Sequence, residues 1–122
     1  MLRLIKKFKG DDRIILISDA ASFIGESPIP DSSDYEGADD IDFDDSGEIA
    51  GTKIKLDGAC RNMMVHTGAS LCQVFKYASS NPATMLGFFD RGFIRKGLRA
   101  DLITVDAEFD VQSVYIGGKK IK

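Results

Sequence analysis

Residues 13–21, Arg-Ile-Ile-Leu-Ile-Ser-Asp-Ala-Ala, decide the fold that we expect for this chain. The four consecutive aliphatic residues 14–17 are typical of a strand buried on both faces of a parallel sheet that helices flank. Asp19 follows at the carboxyl end of that strand, an edge where catalytic residues collect because its loops vary while the strands hold position. The stretch predicts an α/β fold, with Asp19 either a functional carboxylate or an aspartate that only closes the next turn.

The residues before this stretch predict an amphipathic helix over residues 2–9. Leu2, Ile5 and Phe8 repeat at helical spacing, and Gly10 ends the pattern. A helix, a short turn and a buried strand together form a typical α/β unit. A strand of this kind needs strand neighbours on both sides, and the sequence offers no obvious parallel ones. We therefore expect it to self-associate, to pair with a complementary chain, or to be the tail of a longer polypeptide.

Composition limits the class of protein. With 122 residues, 43% of them hydrophobic and 29% charged, the chain has the composition of one globular domain. The net charge of -3 argues against nucleic acid or an anionic membrane as the main partner, since both favour basic surfaces. No apolar run approaches the roughly 20 residues that span a bilayer, and the first residues do not resemble a signal peptide, so we expect a cytoplasmic protein.

The cysteines and the histidine argue against a metal centre built by this chain alone. Cys60 and Cys72 stand in apolar surroundings, and we expect both to be buried free thiols. His66 is the only histidine, and we expect its side chain to interact with carbonyls at the end of a helix.

An acidic segment occupies residues 22–47. Gly25, Pro28 and Pro30 predict turns, and an alternation of acids with apolar residues predicts a short strand over residues 40–44. The acids crowd together as Asp39, Asp40, Asp42, Asp44 and Asp45. Because their spacing lacks the closing glutamate and the glycine of an EF-hand loop, we interpret them as a solvated loop rather than a calcium site.

A turn at Ser46-Gly47 leads into the sequence Glu-Ile-Ala-Gly-Thr of residues 48–52. Gly51 would let the backbone approach a ligand closely, with neighbouring amides as donors. An ordinary loop glycine is the alternative.

Apolar stripes predict helices from residue 56 to residue 87. The first stripe is Leu56, Ala59, Cys60, Met63 and Met64, and Gly68 follows it; the second is Leu71, Val74, Phe75 and Ala78, with Ser70 as its cap. Asn81-Pro82 is expected to break and restart the helix, which Gly87 closes. The remaining chain predicts strands over residues 92–94, 101–105, 111–116 and 119–121, an antiparallel meander with its last turn at Gly117-Gly118.

These pieces resemble the C-terminal part of the amidohydrolase superfamily. The resemblance lies in Ser80-Asn81-Pro82-Ala83, Gly87, Gly92-Phe93-Ile94, Gly97, Ala100-Asp101-Leu102 and Gly117-Gly118. More specifically, Ile17-Ser18-Asp19-Ala20, residues 47–52 and Arg61-Asn62 resemble the N-acetylglucosamine-6-phosphate deacetylases, from about Gly10 to the end of the chain.

The resemblance implies a fold and a chemistry. The fold is the C-terminal fragment of a β/α barrel, its last strand and helices, followed by a small antiparallel β-domain. Asp19 would be the catalytic acid and base, and Ile49, Ala50 and Gly51 would contact the sugar phosphate. The reaction would release acetate from N-acetylglucosamine 6-phosphate, with a divalent metal ion polarising water and the acetamide carbonyl.

Two departures from that family limit this interpretation. The metal ligands of the family, a glutamate and two histidines on earlier strands, have no counterparts here, so we expect no tightly bound metal and no activity from this chain alone. The stretch of residues 24–46 also replaces a glycine-rich strand and turn. Other amidohydrolases, such as dihydroorotase-like or hydantoinase-like enzymes, and a non-catalytic interaction module remain as alternatives.

Four segments follow from this interpretation. Residues 1–21 would form the last helix and strand of the barrel, and residues 22–54 an acidic loop and short β segment bordering the site. Residues 55–87 would form barrel-type helices, and residues 88–122 the strands of the β-domain.

Overall fold

The computed structural model of the protein describes residues 1–20 and 39–122. The predicted turns at Gly25, Pro28 and Pro30, and the segment boundary after residue 21, lie outside these residues. The chain divides into two compact units. The first unit comprises Met1–Ile17 and Leu56–Lys122, and the second unit comprises Ser18–Lys55.

The predicted first helix is confirmed as α1, Leu2–Lys9. It ends at Gly10, which has a φ of 71° and donates its N–H to the carbonyl of Lys6 at 3.1 Å. A short 3₁₀ turn, Asp11–Arg13, follows. The positive φ explains why glycine stands here, since other residues adopt such a conformation at a cost.

The second unit contains a two-stranded antiparallel hairpin. Its strands are β1, Ile41–Phe43, and β2, Ile49–Thr52. The short strand expected over residues 40–44 and the turn expected at Ser46-Gly47 are therefore confirmed.

Two capped helices continue the first unit. Helix α2 spans Leu56–Thr67, and Gly68 ends it with a φ of 70°. Helix α3 spans Leu71–Phe75, and the hydroxyl of Ser70 accepts the N–H of Gln73 at 3.3 Å in a capping box.

Among the described residues, no helix is long and apolar enough to cross a membrane.

An α-helix restarts at Asn81 with Pro82 in its first turn, as predicted, but the helical path is not interrupted there. A π-helical turn, Lys76–Ser80, joins α3 to α4, Asn81–Met85. The N–H of Asn81 reaches back five residues to the carbonyl of Lys76. Pro82 has no N–H to donate, so the α-helical hydrogen bond from residue 82 is absent in any case. The wider π turn ends directly before this pair of residues.

The core of the first unit forms where these helices, the segment after α1 and Phe109 meet. Its buried members are Ile14, Cys60, Met63, Ala69, Val74, Tyr77 and Phe109. The ring of Phe75 packs on that of Phe109, with centroids 5.0 Å apart. Burial raises the pKa of the Cys60 thiol to about 11. The prediction that both cysteines are buried is wrong for Cys72, which is exposed on α3, although both thiols are free.

The π turn and α4 hold the segment that precedes Asp19 in sequence. The side-chain amide of Asn81, itself buried, donates to the carbonyls of Asp11 at 2.8 Å and Ile14 at 2.6 Å. The N–H of Leu16 donates to the carbonyl of Tyr77 at 3.1 Å. These bonds satisfy backbone groups that a strand ladder would otherwise satisfy.

The predicted strand over residues 14–17 does not form within the described part of the chain. Ile14 is extended and buried, but Ile17 is 70% exposed, so the segment is not covered on both faces. Its backbone pairs instead with Tyr77. The physical reason is that a parallel strand needs neighbours far away in sequence, and the described residues supply none beside it.

A three-stranded antiparallel sheet, in the order β3-β4-β5, ends the chain. Its strands are β3, Leu102–Val105; β4, Val111–Ile116; and β5, Lys119–Lys120. The meander is thus confirmed, but the strand expected over residues 92–94 is wrong. That segment bends at Gly92, which has a φ of 87°, and Ile94 is 88% exposed.

Gly92 packs closely on α4, which leads to a stability prediction. A Cβ atom on Gly92 would lie 2.4 Å from the Cβ of Ala83, whereas one on Gly97 would have no neighbour within 4 Å. The two glycines have similar φ values, 87° and 90°. We expect Gly92→Ala to lower the free energy of unfolding by about 1–3 kcal/mol more than Gly97→Ala, measured by urea denaturation. Equal losses would mean that only backbone strain matters at Gly92.

The side chain of Asp11 leads to a prediction about acid stability. The hydroxyl of Tyr77 donates to one carboxylate oxygen, and Gln73 Nε2 donates to the other at 2.9 Å. These hydrogen bonds, the one from Tyr77 above all, lower the pKa of Asp11 below its usual value. A lowered pKa in the folded state stabilises the fold above about pH 4, and this contribution disappears as the pH falls through the folded-state value.

We therefore expect the free energy of unfolding to decrease between about pH 5 and pH 2, and Asp11→Asn to reduce that decrease. The matched control is Asp12→Asn, since that carboxylate is 86% exposed beside Lys76. Denaturation curves across this pH range measure the effect. An acid limb that Asp11→Asn leaves as steep as in the original chain would contradict the prediction.

Candidate functional site

Asp19 lies in the second unit, with an exposed side chain. Its φ is 51°, in the left-handed region that residues other than glycine rarely adopt. Aspartate and asparagine adopt this conformation more readily than other residues with a side chain, and here hydrogen bonds to a neighbouring strand hold it. The carboxylate is thus presented to solvent by a backbone that its neighbours constrain.

Thr52 at the end of β2 supplies that constraint. Its N–H donates to the carbonyl of Asp19 at 2.9 Å, and its hydroxyl donates to the carbonyl of Ser18 at 2.6 Å. A parallel bridge also joins Ala20 to Thr52. The structure therefore brings Asp19 next to the strand that carries Ile49, Ala50 and Gly51, although Asp19 stands 30 residues before Ile49 in sequence.

The hairpin has a bulge at the predicted binding loop. Asp42 pairs with Gly51 and Phe43 with Ile49, which leaves Ala50 as the extra residue of β2. Gly51 is buried, whereas the side chain of Ile49 is 57% exposed. Bulges of this kind redirect side chains and backbone groups, and they occur often beside active sites.

The hairpin turn depends on the side chain of Asp44, which the sequence analysis interpreted only as part of an acidic loop. One carboxylate oxygen of Asp44, Oδ1, accepts the N–H groups of Ser46 at 2.8 Å and Glu48 at 3.0 Å. Gly47 completes the turn with a φ of 80°. An Asp two residues before a Ser-Gly pair is a recognisable turn signal, so this role could have been predicted.

The interpretation of the acids as fully solvated is wrong for Asp42. This residue is 8% exposed, and its Oδ1 lies 3.9 Å from Lys53 Nζ. The other described acids, Asp39, Asp40, Asp44 and Asp45, are exposed. Burial follows from the position of Asp42 in β1, where its backbone pairs with Gly51.

The metal-binding capacity of the described residues is small. Among residues 1–20 and 39–122, no group of three or more His, Cys, Asp or Glu side chains could hold a metal ion. His66 belongs to the first unit and is exposed at the end of α2. The expected bond from its side chain to helix-end carbonyls is wrong: Arg3 Nε donates to the carbonyl of His66 at 2.7 Å instead.

The arrangement in the second unit offers an accessible carboxylate beside a bulged strand. A carboxylate in such a position can accept a proton from a bound water molecule. Sequence reasoning selected Asp19 and residues 49–51, but it missed Thr52, whose two hydrogen bonds join them. A threonine after a glycine carries no distinctive signal, so only the three-dimensional pairing reveals its role.

Similarity to known proteins agrees with these observations. The N-acetylgalactosamine-6-phosphate deacetylase of Escherichia coli O157:H7 is 31% identical over 115 residues, which cover 88% of this chain and 30% of that protein. The N-acetylglucosamine-6-phosphate deacetylase of Lysinibacillus sphaericus is 32% identical over 119 residues, which cover 93% of this chain and 30% of that protein.

A solved structure matches the whole fold. The crystal structure of N-acetylglucosamine-6-phosphate deacetylase from Thermotoga maritima superposes with a TM-score of 0.80 and 27% identity. The match covers 100% of this chain and 34% of that one. The chain thus spans about a third of the length of these relatives.

The family assignment rests on a longer match than any local motif. The sequence profile of the Amidohydrolase family matches residues 9–121, which include Asp19, the hairpin and the C-terminal sheet. The chain therefore belongs to the Amidohydrolase family.

Proposed function

We propose that this chain is the C-terminal portion of an amidohydrolase that removes the acetyl group from N-acetylglucosamine 6-phosphate. The products would be glucosamine 6-phosphate and acetate. The proposal depends mainly on one observation: the carbonyl of Asp19 accepts the N–H of Thr52, directly after Gly51, so the carboxylate and the bulged strand belong to one local structure. The deacetylases named above support the choice of substrate class.

Asp19 would act as the general base and then as the general acid. Its carboxylate would accept a proton from the water that attacks the acetamide carbonyl, and would return that proton to the departing amine as the C–N bond breaks. Exposure of the side chain lets substrate reach it. The constrained backbone would keep the carboxylate oriented without further side-chain contacts.

Ile49, Ala50 and Gly51 would contact the sugar phosphate. The bulge at Ala50 interrupts the regular pairing of β1 with β2, and a backbone group of β2 would contact the ligand there. Backbone N–H groups are effective donors to phosphate oxygens. The exposed side chain of Ile49 would cover an apolar face of the sugar.

Amidohydrolases generally depend on a metal ion, but the described residues do not fit one by themselves. Asp19 is a single carboxylate, and these residues provide no cluster that could complete a coordination shell around it. We therefore propose that the metal ligands lie outside the described residues, and no step above passes through the metal.

The absence of neighbouring barrel strands among the described residues leads to a proposal about a partner chain. The segment over residues 14–17 would be the last strand of a β/α barrel, and Ile17 is 70% exposed where neighbouring strands would cover it. A large apolar side chain that is exposed at the end of this segment favours contact with another chain. We propose that a complementary barrel portion covers it, and that the isolated chain self-associates in its absence.

The isolated chain should not turn over N-acetylglucosamine 6-phosphate. We expect acetate release to be no faster than for Asp19→Asn, a variant that keeps the size of the side chain and tolerates the left-handed backbone. An enzymatic acetate assay at several stages of purification measures this. Turnover that survives every stage and disappears in Asp19→Asn would contradict the inactivity but would support the role of Asp19.

Ligand binding to the hairpin tests the proposal directly. We expect N-acetylglucosamine 6-phosphate, at up to about 10 mM, to shift the amide NMR signals of residues 49–52 more than N-acetylglucosamine does. Ala50→Asp should weaken this binding by about tenfold through charge repulsion with the phosphate. Ser46→Asp, at the other end of the hairpin, is the matched control and should change it little.

Comparison with N-acetylgalactosamine 6-phosphate separates the two substrate classes named for the relatives. Tighter binding of the galactosamine compound would overturn the choice of sugar but not the role of the hairpin. Absence of shifts in residues 49–52, or equal weakening by Ala50→Asp and Ser46→Asp, would contradict the assignment of this loop.

A further inference from the structure

A basic depression of about 430 Å³ lies on the surface of the first unit. Its lining residues are Arg3, Lys6, Lys7, Gly10, Asp11, Thr67 and Gln73. Three of them are cations on two successive turns of α1, and one is a carboxylate. The remaining side chains, those of Thr67 and Gln73, are polar and uncharged. The depression therefore combines positive charge with hydrogen-bonding groups.

The spacing of the cations is unfavourable for the helix itself. Arg3 stands three residues before Lys6 and four before Lys7, so like charges lie side by side on one helix face. Pairs of this kind each destabilise a helix by about 0.2–0.5 kcal/mol. The carboxylate of Asp11 offsets only part of this repulsion, because it is a single negative charge beside the three positive charges of Arg3, Lys6 and Lys7.

Two of the cations are held in place by other elements. Arg3 Nε donates to the carbonyl of His66 at 2.7 Å, and no described group occupies the two terminal nitrogens of that guanidinium. Lys6 Nζ donates to Gln73 Oε1 at 3.3 Å, and Gln73 is fixed in turn by the capping box with Ser70. Positions held before a ligand arrives lower the entropic cost of binding.

Lys7 differs from both neighbours. Within residues 1–20 and 39–122, its ammonium makes no hydrogen bond or ion pair. It therefore keeps all three donors for a ligand. The hydroxyl of Thr67 already donates to the carbonyl of Met63 at 2.6 Å, so the donors for a ligand are the guanidinium fork and the two ammonium groups. Three cationic groups that line one depression suit a doubly charged tetrahedral oxyanion better than a single carboxylate.

We propose that this depression binds a phosphate group. Arg3 supplies its terminal nitrogens, and Lys6 and Lys7 supply ammonium donors. The site belongs wholly to the first unit, so it does not depend on Asp19 or on the hairpin. The phosphate group can come from inorganic phosphate or from a sugar phosphate, since both present the same oxyanion.

The test is an NMR titration of the full chain with inorganic phosphate and, separately, with glucose 6-phosphate at matched ionic strength. We expect saturable shifts in the amides of Arg3, Lys7 and Gln73 with both probes. Lys7→Glu should raise the dissociation constant by at least about tenfold, since it reverses a charge at the site. Lys9→Glu, on the same helix but outside the depression, should change it by less than about threefold.

The two probes identify the source of the phosphate. Equal affinities indicate recognition of the phosphate group alone, and tighter binding of glucose 6-phosphate indicates an organic phosphate; either result supports the site. Circular dichroism checks that each variant folds, and Lys7→Gln replaces Lys7→Glu if the latter does not. No saturable shifts in these amides, or equal weakening by the variants at positions 7 and 9, would overturn the proposal. Shifts of residues 49–52 in the same titration concern the deacetylase site and leave this result unaffected.

Discussion

The buried side-chain amide of Asn81 ties the segment after α1 to the helices of the first unit. It donates to the carbonyls of Asp11 and Ile14, so one side chain satisfies two backbone acceptors in a segment that has no ladder of its own. A buried carbonyl without a donor would cost about 1–3 kcal/mol. The π turn before Asn81 and the proline after it both occur where the helix must place this amide against that segment.

The same constraint gives a physical meaning to the Ser-Asn-Pro-Ala sequence of residues 80–83. Asn81 binds the segment after α1, Pro82 removes a donor that a regular helix would use, and Ala83 is small enough for the backbone of Gly92 to approach. Each residue type answers a separate steric or hydrogen-bonding requirement. The motif therefore has a structural role in this fold.

Local chemistry explains which elements could be predicted from sequence. Helix ends at Gly68 and Ser70 were predictable because a left-handed glycine and a capping hydroxyl act within a few residues. The strands expected over residues 14–17 and 92–94 were wrong because an aliphatic run shows only that a strand is possible, and pairing requires a distant partner. The exposed position of Cys72 likewise depends on which face of α3 meets the core.

The candidate site also combines features that could be predicted from sequence with features that could not. Asp19 and the loop over residues 49–51 could be selected through resemblance, whereas their contact through Thr52, the left-handed backbone of Asp19 and the bulge at Ala50 result from pairing between distant residues. No local pattern encodes that pairing. Resemblance selected the candidate residues, and the fold indicates how they are held together.

The unequal environments of the two thiols make the chain suitable for single-site labelling. A maleimide reacts with the thiolate form, which burial suppresses at Cys60, whereas Cys72 meets the reagent on the surface of α3. A fluorophore could thus be attached to one position without mutagenesis. The dye would sit on the exposed face of α3, whose opposite face is anchored in the core by Val74. A change in its emission would report that the chain associates with another polypeptide.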